Sequence, residues 1–87
     1  MPRRRKGLTG FGRLLRDFSE DRGIIGWSEL ARELERVGCH TTRATLSNWA
    51  IGKYHADYDA LPFIVRALKL TEEEQRRLAW AFAFEQD

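Results

Sequence analysis

Leu8, Phe11, Leu14, Leu15 and Phe18 recur at spacings of 3, 3, 1 and 3, the stripe of one amphipathic helix. Gly10 and Gly12 fall in its first turn, where glycine weakens a helix, and Gly23 is placed to end it in the left-handed conformation. The period returns at Trp27, Leu30, Ala31, Leu34 and Val37, between Gly26 and Gly38. Glu29 there sets a negative charge in the first turn, at the positive end of the helix dipole. A third stripe, Leu46, Trp49 and Ala50, follows Thr42, whose hydroxyl can cap an early backbone N–H, and Gly52 closes it. After a polar connection over 52–59, Leu61, Ile64, Val65 and Leu68 form the fourth, with Asp57 or Asp59 as its expected cap and Pro62 in its first turn. The fifth begins at the capping box Thr71-Glu72-Glu73-Glu74 and runs to about Phe84. No stretch alternates convincingly with period two. The predicted fold is all-α: a compact five-helix bundle over residues 8–87 behind a basic tail, 1–7, expected to be disordered when free.

Composition narrows what such a bundle can do. Eighty-seven residues make one domain, and 43% hydrophobic residues suffice for a core. The net charge of +2 hides an asymmetry: eleven of the 15 Lys+Arg but six of the 13 Asp+Glu lie in residues 1–53. An anionic partner is therefore expected for the first half only. Apolar runs are too short to span a membrane. Met1 leads into charge rather than an apolar stretch, so no signal peptide is expected and the default compartment is the cytoplasm. Cys39 stands alone, so no internal disulfide can form. With His40 and His55 it makes three N/S donors where structural zinc needs four, and no metal or other cofactor is expected. Acidic residues fall at helix starts or at helical spacing from basic neighbours, and no glycine-rich phosphate loop follows a strand. That pattern argues against an enzyme.

One constellation speaks for nucleic acid. Leu30-Ala31, Gly38, Thr42, Leu46, Trp49 and Gly52-Lys53 fall in an order and spacing that resembles the phage-repressor (Cro-like, xenobiotic-response-element type) helix-turn-helix family. Phe11 to Arg22 is similar to that family's first helix and Tyr58 to Thr71 to its fourth, so the resemblance covers about residues 8–75. The chain departs from the family pattern in three places. Ala31 to Thr41 spans about five residues more than usual, which lengthens the first motif helix and widens its turn. Trp27 stands where Gln is usual, and Ala50-Ile51 replaces a charged pair.

The resemblance implies sequence-specific binding of double-stranded DNA by a small transcriptional regulator of a bacterium, phage or plasmid, nucleoid-associated when bound. Helix geometry then sets the expected roles. With Leu46 and Trp49 inward, Arg43, Ala44, Ser47 and Asn48 face outward, where the start of a recognition helix over about 43–51 meets base edges. Arg43 suits guanine, Asn48 adenine, and Ala44 a thymine methyl. Thr42, Thr45 and Lys53 are placed for phosphates, and His40 and Thr41 can reach the backbone from the turn. Trp27 reads as core or as a wedge on the backbone. Arg3, Arg4, Arg5 and Lys6 can act as an arm to a minor groove or to phosphates, or simply as a solvated end.

The last helix raises the question of partners. On a helical wheel Leu78, Ala81 and Phe82 share the core face, while Trp80, Ala83 and Phe84 lie opposite. A homodimer through Trp80, Phe84 and Ala83 is expected, the other possibility being a monomer whose first helix folds over Trp80. There is no room for a domain that binds a small-molecule ligand. A second functional reading remains open: an antitoxin- or adaptor-like protein-interaction module that keeps the scaffold without docking on DNA.

Overall fold

The computed structural model describes residues 7–86, and Arg3, Arg4, Arg5 and Lys6 lie outside them. The described chain is all-helical: α1 (Gly10–Asp21), α2 (Trp27–Arg36), α3 (Arg43–Ala50), α4 (Leu61–Leu68) and α5 (Glu72–Phe84). Phe11, Leu15, Leu30, Leu34, Leu46, Ile64, Leu68 and Leu78 are fully buried in one core drawn from all five helices. No helix among the described residues is long and apolar enough to cross a membrane.

Local chemistry sets most boundaries. The Thr42 hydroxyl accepts the Thr45 N–H at 3.1 Å to open α3. Thr71 and Glu74 close both bonds of the capping box that opens α5. Gly23, Gly38 and Gly52 take positive φ just past α1, α2 and α3, where a side chain would be strained. At the end of α4 the left-handed residue is Lys69, φ 52°, and no glycine marks the place. The six residues from Val37 to Thr42 form the wide turn between α2 and α3.

Two expectations about helix starts change. Neither Asp57 nor Asp59 caps α4: a 3₁₀ turn over Tyr58–Ala60 runs straight into it, and Ala60 holds the cap position without a side-chain bond. The chain enters α4 already coiled, so a carboxylate has no free helix end to cap. The glycines of α1 do more than weaken its first turn. A Cβ on Gly12 would stand 2.2 Å from the Ala50 carbonyl oxygen, and one on Gly10 2.3 Å from a Glu85 carboxylate oxygen. Their absence lets Thr9 and Phe11 donate backbone N–H groups to the carbonyls of Ala50 and Glu85, both at 2.9 Å. The first turn of α1 thus caps the C-terminal ends of α3 and α5 together.

At the opposite end of α1, Arg22 acts as a clamp. Its guanidinium donates to the Phe18 carbonyl at 3.1 Å, to the Leu68 carbonyl, and to Glu74 at 2.5 Å. One cation so answers the carbonyl ends of α1 and α4 and the acidic start of α5.

Candidate nucleic-acid interface

Helix α3 packs against both α1 and α2, and this double contact orients it. Leu46 and Ala50 are fully buried and Trp49 is 5% exposed, so the inner face is entirely apolar. The outer face carries Arg43 and Ala44, both exposed, with Ser47 and Asn48 half-buried beside them. All four expected base-contacting residues therefore share one outward surface. An α-helix with its side chains is about 10–12 Å across, close to the width of a DNA major groove.

Lys53 and Tyr54 continue this surface at the C-terminal end of α3. Their N–H groups return to the Asn48 carbonyl, at 2.9 and 3.4 Å, and fix the turn after Gly52. The Lys53 ammonium lies 5.7 Å from the centre of the Tyr54 ring, which is 57% exposed. Tyr54 was not legible as a site residue. Its only sequence signal is an aromatic directly after Gly52-Lys53 in an otherwise polar connection.

The N-terminal end is more constrained than the sequence suggests. Thr42 is exposed, but its hydroxyl both accepts from the Thr45 backbone and donates to the Thr45 hydroxyl at 3.1 Å. Of this pair, the Thr45 proton remains for a ligand. His40 is exposed, with Nδ1 2.8 Å from the Glu35 carboxylate, so one ring nitrogen is already engaged by a neighbouring acid. Thr41 is half-buried, and its hydroxyl oxygen is sealed from water without a hydrogen-bond partner among the described residues. Trp27 is half-buried and packs on the core, the first of the two roles expected for it.

A recess of about 710 Å³ opens beside the start of α3, lined in part by Glu35, Asp57 and Asp59. Burial, then the charges of Asp57 and Glu35, push the Cys39 thiol above its ordinary pKa. Cys39 is thus a packed, protonated side chain rather than a reactive thiolate. Among the described residues no three His, Cys, Asp or Glu side chains come together to hold a metal ion.

Compared with protein-family models, curated proteins and solved structures, the chain matches none.

Proposed function

We propose that the chain binds double-stranded DNA sequence-specifically, as a small regulator of transcription, with α3 in the major groove. The observation that carries this reading is the division of α3 into a sealed apolar face and an outward face bearing Arg43, Ala44, Ser47 and Asn48. Arg43 supplies a two-pronged donor for guanine O6 and N7, Asn48 a donor–acceptor pair for adenine, and Ala44 a methyl for thymine. Lys53, with the free proton of the Thr45 hydroxyl, faces phosphates that set the register, while the Thr42 hydroxyl is spent on the cap. Arg3, Arg4, Arg5 and Lys6, outside the described residues, add cations to the basic half of the sequence. The working compartment is then the cytoplasm, on the nucleoid.

A selection from random duplexes, followed by affinity measurements on the preferred site, tests the reading. Arg43→Ala should weaken that site by about 1–3 kcal/mol and relax base choice at one position per half-site. Lys53→Ala should weaken specific and random duplexes alike and lower the slope of log affinity against log salt by about 0.9. Equal losses on specific and random DNA from both substitutions would remove α3 as the reading element.

The acid-lined recess favours a second reading, a protein-interaction module. Glu35, Asp57 and Asp59 repel phosphates but suit a basic segment of another protein. No salt-dependent duplex binding at all is the result that would prefer it.

A further inference from the structure

DNA binding leaves the outward face of α5 unused. Trp80 is 61% and Phe84 67% exposed, and their rings rest on each other with centroids 4.5 Å apart. Mutual packing makes them a preformed platform rather than two loose side chains. Helix α1 does not fold over it. It forms instead one wall of an open groove of about 910 Å³ with Arg13, Leu14 and Asp17 beside Arg76, Trp80 and Phe84.

We infer that the occupant of this groove is α5 of a second copy of the chain, lying antiparallel about a two-fold axis at Trp80. The argument is self-complementarity. Successive residues turn by about 100°, so Glu73, Arg76, Arg77, Trp80, Ala83 and Phe84 share one stripe, and all six are exposed. Its N-terminal half carries Glu73 with Arg76 and Arg77 and is cationic on balance, and its C-terminal half is small and aromatic at Ala83 and Phe84. A two-fold axis must lay one half on the other. Centred on Trp80, it stacks the two Trp80 rings, sets Arg76 against the partner's Ala83, and brings Arg77 towards the partner's Phe84. A small residue therefore meets a long one, and a guanidinium meets an aromatic face. Arg77 already lies 5.7 Å from the Phe18 ring, and Arg76 makes no ion pair among the described residues. Centring the axis on the charged half instead would leave both aromatics uncovered. A parallel pairing would set arginines on arginines.

Area sets the expected strength. A standard interface takes about 800 Å² from each partner. One stripe along a helix about 20 Å long supplies less, even with the α1 wall added. Association is therefore expected at micromolar concentration. The inference is independent of DNA binding, because it concerns the free protein.

Sedimentation equilibrium of the whole chain without DNA tests the occupant. The wild type should be dimeric at tens of micromolar, and Trp80→Ala should raise the dissociation constant at least about thirtyfold, as a central aromatic anchor does. Both aromatics are exposed, so Trp80→Glu should keep the thermal midpoint of the monomer while abolishing the dimer. A wild type that stays monomeric at 100 micromolar (about tenfold above the expected range for such an interface) overturns the proposal. The register is tested in a Cys39→Ser background. Arg76→Cys and Ala83→Cys chains should cross-link when mixed, and neither should do so alone. Cross-linking of either variant alone in preference to the mixture overturns the antiparallel arrangement.

Discussion

Turned away from the core, α3 shows Arg43, Ala44, Ser47 and Asn48, whereas α5 shows Trp80, Ala83 and Phe84. The polar face of α3 is at rest in water, since every donor and acceptor on it can be hydrated. Its use lies in directional bonds that a base edge can answer. The C-terminal half of the α5 face, beyond Arg76 and Arg77, offers almost no directional bonding. It exposes large apolar area, which water disfavours by about 25 cal/mol per Å². The two surfaces therefore call for different partners, one chosen by hydrogen-bond pattern and one by shape. They are not mechanically separate, because the first turn of α1 holds the ends of both helices through Ala50 and Glu85.

Breaking that shared junction should have the largest effect. Gly12→Ala drives a Cβ into the Ala50 backbone, which cannot swing aside, and should cost about 1–3 kcal/mol of stability by urea denaturation. Gly10→Ala meets the Glu85 carboxylate, which can rotate, but also the Glu85 Cβ at 2.8 Å, which moves only with the backbone, so it should cost stability too, though less than Gly12→Ala. Gly12→Ala should also degrade DNA binding and self-association together. Loss of one without the other would show that the two faces are held independently.

The next test loosens the start of α5, where Arg22 clamps it to α1 and α4. The Glu74 carboxyl is held below the usual carboxylate range, first by the Thr71 backbone N–H and then by the Arg22 guanidinium. A depressed folded pKa contributes stability in full above the unfolded value, about 4.3, and that contribution fades as pH falls through the folded value. Thermal melts of the wild type should therefore drop on acidification below about pH 4.3. Those of Glu74→Gln should be lower at neutral pH and flatter across the acid window. A variant as acid-sensitive as the wild type would place the titrating carboxylates elsewhere.

The smallest expected effect sharpens the α3 side. Asp57→Asn with Asp59→Asn removes two negative charges beside the start of α3, without breaking a side-chain cap bond. Exposed charges act weakly, so duplex affinity should rise only roughly two- to fivefold at low salt, with the gain shrinking as salt increases. Unchanged affinity at low salt would separate the acidic recess from the DNA-facing surface.

What could be read along the chain was what is decided within a few residues. The inward set Leu46, Trp49 and Ala50 follows from helical period, the cap by Thr42 from hydroxyl chemistry, and the Thr71–Glu74 box from two reciprocal bonds three residues apart. The outward position of Trp80 and Phe84 comes from the same period. Helix count, and the side of each helix that faces the core, are local properties, and the sequence by itself determined them.

Tertiary structure decided the rest, because the deciding contacts join residues far apart in the chain. Gly12 is a poor helix residue until Ala50 is brought against it, and then it is the only residue with no Cβ to collide. Arg22 looks like one more surface charge until Leu68 and Glu74 converge on it from 46 and 52 residues away. The pairing of His40 with Glu35, and the approach of Asp57 to Cys39, depend on the path of the wide turn, which no periodic pattern specifies. Hydrophobic period says which way a side chain points. Which other element it meets depends on how five short helices share one core, and that is settled only when all of them pack at once.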